Sequence, residues 1–240
     1  MSELHITCEL DTSVYARLYT YTPVSETTCA VSGCNLSEPL CLMIPAIAPD
    51  GRTVVAIGDR AFEGQETLRA ISLPDTVQTI GRRAFAFCSD LCVIRTGTGS
   101  HLSSIGDRAF MGCTSLSLLH LGHLRTLCTL GRHAFAHCTA LRSVVLPEGL
   151  SELSASLFDG CTSLSRVALP KSLTAIRTGA FAACSSLRAL RLPAFLSLIE
   201  DCAFAFCGRL SDLSLPESAC VIAGSAFKEC YALGDVLKVG

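Results

Sequence analysis

The stretch Ile176-Arg177-Thr178-Gly179-Ala180-Phe181-Ala182-Ala183-Cys184-Ser185-Ser186-Leu187-Arg188-Ala189-Leu190-Arg191-Leu192-Pro193 contains two different periodicities. From Leu187 onward apolar and polar residues alternate, which predicts a short strand with Leu190 and Leu192 turned inward. Pro193 has no amide to give a ladder and ends it. The preceding part, from Ile176 to Leu187, is too short for a stable isolated helix but suits one or two helical or 3-10 turns packed by Phe and Leu.

The same unit recurs. Phenylalanine returns at Phe62, Phe85, Phe110, Phe135, Phe158, Phe181, Phe204 and Phe227, at intervals of 23 or 25 residues. Five residues earlier stands Ile57, Ile80, Ile105, Leu130, Leu153, Ile176, Ile199 or Ile222, and six residues later Leu68, Leu91, Leu116, Leu141, Leu164, Leu187, Leu210 or Leu233. Three residues after the Phe, seven units carry Cys88, Cys113, Cys138, Cys161, Cys184, Cys207 and Cys230, and the first carries Gln65. One strand and one turn cannot bury their apolar faces alone, so such units must stack into a solenoid with a parallel sheet.

The unit Leu-x-x-Leu-x-Leu-Pro-x-x-Leu-x-x-Ile-x-x-x-Ala-Phe-x-x-Cys-x-x-Leu resembles the BspA-like, treponemal type of leucine-rich repeat over residues 42–238. The resemblance implies a right-handed leucine-rich-repeat solenoid with a concave parallel sheet, and a role in adhesion or protein binding. Together with the local reading, the expected class is an α/β solenoid of about eight repeats of 23–25 residues, with short helical or 3-10 turns on the convex side. Some positions depart: Ser154, Arg177, Glu200 and Ala223 replace the glycine found at Gly58, Gly81, Gly106 and Gly131, and Leu157 replaces the Ala before Phe158.

Half of the 240 residues are hydrophobic and 17% are charged, which excludes a disordered chain. A net charge of -2 removes the general electrostatic case for nucleic acid, and no apolar stretch reaches the ~20 residues of a spanning helix. The start, Met1-Ser-Glu-Leu-His5, shows neither the basic nor the apolar region of a secretion signal. Residues 1–41 lie outside the register, and their alternation at His5–Leu10 and Tyr15–Tyr21 predicts a hairpin-like cap on the solenoid that fills residues 42–240. Leu42 to Pro45 reads as the strand end of a degenerate first repeat, followed by an Asp50-Gly51 turn. At the other end Leu233 to Lys238 reads as a last strand, which leaves an open sheet edge available for pairing with a second chain.

Fifteen cysteines would suggest a secreted disulfide framework, but the register makes seven of them one column of buried thiols acting as small hydrophobes. Their parallel Cβ directions keep the sulfurs apart, and such a column favours a reducing compartment, whereas the family resemblance allows a secreted or cell-surface one. His133 and His137, at i and i+4 beside Cys138, could hold zinc from one helical face, but they flank Phe135 and so point to solvent, with no third ligand in neighbouring repeats. Cys29, Cys34 and Cys41 match no familiar metal spacing and read as structural thiols, with a disulfide or metal as the alternative. No nucleophile elbow, phosphate-binding loop or carboxylate pair is present, so the chain reads as non-catalytic, without cofactor or metal.

The informative variation lies on the outward positions of the strands. Down the stack they read Ala70/Ser72, Val93/Arg95, Leu118/His120, Ser143/Val145, Arg166/Ala168, Ala189/Arg191 and Asp212/Ser214. The middle repeats place Val93, Leu118, Val145, Ala168 and Ala189 where a plain solenoid would be polar, among Arg95, His120, Ser143, Arg166 and Arg191. An apolar patch of this kind marks a binding surface, with mutual packing of large side chains on a curved sheet as the plainer alternative. The two 25-residue repeats carry their extra residues at Arg95–Ser104 and His120–Thr129, side by side on one rim of the patch. The expected ligand is a protein or peptide, or alternatively a small apolar molecule with an anionic end; self-association through the concave face or the C-terminal edge is the third reading.

Overall fold

The computed structural model describes residues 17–35, 41–216 and 220–237, so the His5–Leu10 pattern and Cys8 lie outside the described residues. Two strands, β1 (Tyr19–Pro23) and β2 (Thr28–Cys34), form an antiparallel hairpin. The chain then alternates long and short strands: β3 (Cys41–Met43), β4 (Thr53–Ile57), β5 (Ala70–Leu73), β6 (Thr79–Ile80), β7 (Val93–Thr96), β8 (Ser104–Ile105), β9 (Leu118–His120), β10 (Thr129–Leu130) and β11 (Ser143–Val145). The alternation continues with β12 (Glu152–Leu153), β13 (Arg166–Ala168), β14 (Ala175–Ile176), β15 (Ala189–Arg191), β16 (Leu198–Ile199), β17 (Asp212–Ser214) and β18 (Val221–Ile222). All pairing between repeats is parallel with a one-repeat offset, for example Ile57 with Ile80 and Ile80 with Ile105. The result is a β-solenoid of about eight turns.

The ladders are not continuous. Hairpin strand β1 and the even-numbered strands form one run, β1-β2-β4-β6-β8-β10, and the remaining even-numbered strands a second, β12-β14-β16-β18; the other odd-numbered strands form β3-β5-β7, β9-β11-β13 and β15-β17. The gap between β7 and β9 falls at the first of the two long repeats. The loops that carry the insertions lie together, since Thr96 Oγ1 and His123 Nε2 are hydrogen-bonded at 2.8 Å.

Identical side chains in successive turns stack on one another. The eight repeat phenylalanines form one file with centroids 5.1–5.7 Å apart and planes within 17° of parallel. Seven of them are fully buried, and Phe227 at the far end is half-buried. At the near end Tyr19 of the hairpin meets Phe62 edge-on at 6.4 Å and donates its hydroxyl hydrogen to the Met43 carbonyl at 2.8 Å, so the hairpin closes the aromatic file.

The Phe segments are not helical, which corrects the expected helical or 3-10 convex turns. No α-helix occurs among the described residues, and their 3-10 turns lie within Tyr231–Leu237, interrupted by a kink at Gly234. The cause is a left-handed backbone two residues before and two residues after most of the phenylalanines: Arg83 and Phe87, Arg108 and Gly112, His133 and His137, Ser156 and Gly160, Gly179 and Ala183, Cys202 and Phe206. A left-handed residue rotates its amide out of the segment and toward the next repeat. Arg83, Phe85 and Phe87 thus donate to the carbonyls of Asp107, Ala109 and Met111 at 2.7–2.9 Å. Hydrogen bonds that a helix would make internally are made between turns instead.

Holding a non-glycine residue left-handed costs roughly 1–2 kcal/mol. Gly64, Gly112 and Gly160 occupy the position without that cost, whereas Ala183 (φ 56°) does not. Replacing Ala183 with glycine is expected to raise stability by about 0.5 kcal/mol after the extra entropy of the unfolded glycine is subtracted. A lower urea midpoint for Ala183→Gly would contradict this account.

The seven column cysteines are buried. Each directs its thiol hydrogen to the carbonyl of the Phe one repeat earlier, from Cys88 to Phe62 at 3.1 Å through to Cys230 to Phe204 at 2.9 Å. At the C-terminus the expected strand from Leu233 does not form. Two short 3-10 turns occupy Tyr231–Leu237, broken at Gly234 with φ 51° and ψ -134°, and Lys238 lies outside the described residues. A dimer through that strand therefore loses its element, and β17 is the last strand of its ladder.

Candidate binding surface

Because side chains alternate along a strand, the outward residues of the odd-numbered strands form two rows. One row carries Ala70 beside Val93, Leu118 beside Ser143 and Arg166, and Ala189 beside Asp212. The other carries Ser72 beside Arg95, His120 beside Val145 and Ala168, and Arg191 beside Ser214. Leu118 is 55% exposed, an unusual position for a leucine, whereas Val93 and Val145 are half-buried.

The structure does not gather all ten candidate residues. Val93 and Arg95 belong to the ladder that ends at β7, and the break before β9 separates them from Leu118 and His120. The other six, Ser143, Val145, Arg166, Ala168, Ala189 and Arg191, line a shallow groove of about 510 Å³. Leu118 and His120 stand just outside it.

The groove lies where β13 and β15 part without ladder pairing. Its floor includes Val144, Val167, Leu169 and Leu190, and Asp212 joins the wall. Val167 and Leu169 are partly open, although their positions would be core in a regular repeat. Valines at two neighbouring core positions, Val144 and Val167, where other repeats have Ile71, Leu119 or Leu190, were the available signal for a lowered floor. Neither Arg166 nor Arg191 makes an ion pair among the described residues, so both guanidinium groups face solvent at the groove with their charge available.

The histidine and cysteine groups also change meaning. With φ of 57° and 59°, His133 and His137 share no helical face. His137 lies over Gly160, where a Cβ would meet its ring nitrogen at 2.4 Å. His133 is not turned to solvent as expected: it is half-buried, and its Nδ1 is enclosed without a hydrogen-bond partner. Burial first, and the nearby Arg108 next, hold its pKa below the ordinary value, so it is neutral at pH 7. Cys29 is buried on β2 facing the Thr53 carbonyl at 3.7 Å, Cys34 is half-buried at the end of β2, and Cys41 faces outward on β3. No three potential metal ligands come together among the described residues.

Known proteins share this architecture. The profile of the BspA type leucine-rich repeat region matches residues 47–127 and 103–234, in six copies. The chain belongs to the BspA-type leucine-rich repeat family. A leucine-rich repeat protein from Bacteroides ovatus is 33% identical with a TM-score of 0.76; the match covers 85% of this chain but 54% of that one, so the chain spans about half the relative's length. The Treponema pallidum leucine-rich repeat protein is 29% identical with a TM-score of 0.66, covering 93% of this chain and 91% of that one. A leucine-rich repeat protein from Eubacterium ventriosum, 22% identical with a TM-score of 0.64, shares the fold. No curated protein matches the sequence. In this BspA-type repeat protein no described helix is long and apolar enough to cross a membrane.

Proposed function

We propose that this BspA-type protein is a non-catalytic binding module whose concave face takes a protein or peptide partner, as an adhesin does. The groove between β13 and β15 is the observation that carries this reading. It combines an apolar floor, two guanidinium groups without ion pairs, and backbone edges left open by the missing ladder. Such a groove suits an extended segment with an apolar side chain beside an acidic one: the apolar group fills the space over Val167, and Arg166 and Arg191 take the carboxylate.

Asp in place of Val145 introduces a charge into the groove lining and is expected to weaken partner binding at least a hundredfold, whereas Leu118→Asp, at the margin, is expected to weaken it about tenfold. Both are outward positions, so circular dichroism should show unchanged folding. Unchanged capture of partner by the Val145→Asp protein would reject the groove. Native mass spectrometry decides the competing reading, because a small apolar molecule released from the purified protein would make it a carrier instead. Light scattering that rises with protein concentration and is lost in Val145→Asp would identify the partner as a second copy.

A further inference from the structure

A second groove, of about 720 Å³, lies on the side of the solenoid carrying the even-numbered strands and the Phe turns, and it shares no residue with the first one. Its origin is legible in the glycines. Gly58, Gly81, Gly106 and Gly131 stack so closely that a Cβ on Gly131 would stand 2.4 Å from the Asp107 nitrogen and the Gly106 carbonyl carbon. In the next repeat the position is Ser154, which has the Cβ that this stack has no room for, and there the ladder stops: β10 and β12 do not pair. The end of the glycine file, the ladder break and the groove are one event.

The walls of the groove differ. Beyond the break, Arg177 is held by both carboxylates, at 2.7 Å from Glu152 and 2.8 Å from Glu200, while Glu200 also accepts from the Thr178 amide and hydroxyl at 2.9 Å. The Arg177 contact comes first among the influences that draw the Glu200 carboxyl below its ordinary range. Before the break, the Asp107 carboxylate accepts from the Arg132 amide at 2.8 Å. That leaves Arg108 and Arg132, in adjacent repeats joined by a backbone bond of 2.8 Å, with no ion pair among the described residues. Beside them sits His133 with its enclosed, unpartnered Nδ1. Three acids and three arginines line the groove, but two of the acids are committed to Arg177 and the third to a backbone amide.

We infer that this groove is an oxyanion site, in which Arg108 and Arg132 hold a phosphate, sulfate or carboxylate group of a small ligand beside the His133 ring, which lines the wall and reports on the charge bound there. Guanidinium forks bind such groups through paired charge-assisted hydrogen bonds.

NMR of the His133 ring in the full chain tests the site, with sodium phosphate, sodium sulfate and sodium acetate titrated separately at an ionic strength fixed by sodium chloride. Saturable shifts are expected, together with a rise in the His133 pKa, and the tightest of the three salts identifies the anion class. Arg108→Gln and Arg132→Gln should each weaken the effect about tenfold. Arg177→Gln should weaken it as well, because it releases Glu152 and Glu200 to repel the anion. Arg209→Gln, an exposed charge outside the groove, should leave it unchanged. Shifts that follow ionic strength rather than anion identity, or that persist in Arg132→Gln, would overturn the assignment.

Discussion

Raising the pH from 8 to 10 is expected to unfold this protein even with a reductant present. The cause is the cysteine file. Burial pushes the Cys88 thiol up to about 12 and holds Cys113, Cys138, Cys161 and Cys184 well above their ordinary value; Cys207 is raised by the neighbouring Cys230 thiol and by burial. An unfolded cysteine ionises near ~8.5. A raised folded pKa means that the stabilisation is complete below the unfolded value and is lost as pH climbs from there toward the folded one, because only the unfolded chain releases its protons. Each thiol then contributes about 1.4 kcal/mol per pH unit, and six contribute about 8 kcal/mol per unit, which rivals the ~5–15 kcal/mol total stability of a typical domain. Circular dichroism against pH should show a steep transition between about pH 9 and 10 that releases about six protons per molecule. In a Cys138→Ala, Cys161→Ala double variant the pH slope should fall by about a third, even though the cavities lower its stability at pH 7. A melting temperature that stays level from pH 8 to pH 10 would show that these thiols do not remain protonated in the fold.

The file was readable in the sequence because its cause is local repetition: a residue that returns in register every 23–25 positions meets its own copy in the next turn, whatever the detailed path between. The strands were readable for the same reason, since Leu190 and Leu192 alternate with arginines and end at Pro193. The turns were not. Arg83, His133 and Phe87 are poor advertisements for a left-handed backbone, and what holds them there is the carbonyl of the next repeat, a partner no window of sequence displays. The grooves failed to show for a related reason. Ser154 and Arg177 stood out as departures from glycine, but the interrupted ladder they accompany depends on the spacing of two backbones. The outward residues of the proposed binding face were therefore legible as a set, and their division at the breaks between β7 and β9 and between β13 and β15 was not. At the C-terminus, alternation at Leu233 to Lys238 suggested a strand, yet the short apolar run forms 3-10 turns kinked at Gly234.

The aromatic file carries the other large effect. Phe135 is fully buried between Phe110 at 5.4 Å and Phe158 at 5.7 Å, so truncation to alanine leaves a cavity with rings on both sides and is expected to cost about 3–5 kcal/mol. Phe227, half-buried with a single ring neighbour at 5.2 Å, should lose about 1–2 kcal/mol on the same change. Position matters beyond burial, because each turn of a solenoid is stabilised only by its neighbours and a weak junction can uncouple the two sides. The junction after Phe135 combines two features: the ring spacing there is the widest in the file, and the β10–β12 ladder is missing. Removing the ring should therefore split one cooperative urea transition into two, with hydrogen exchange in β14, β16 and β18 separating from that in β4, β6 and β8. Phe227→Ala should keep a single transition. If Phe135→Ala also unfolds in one step, at a midpoint lowered no more than that of Phe227→Ala, the aromatic file is not what couples the two halves.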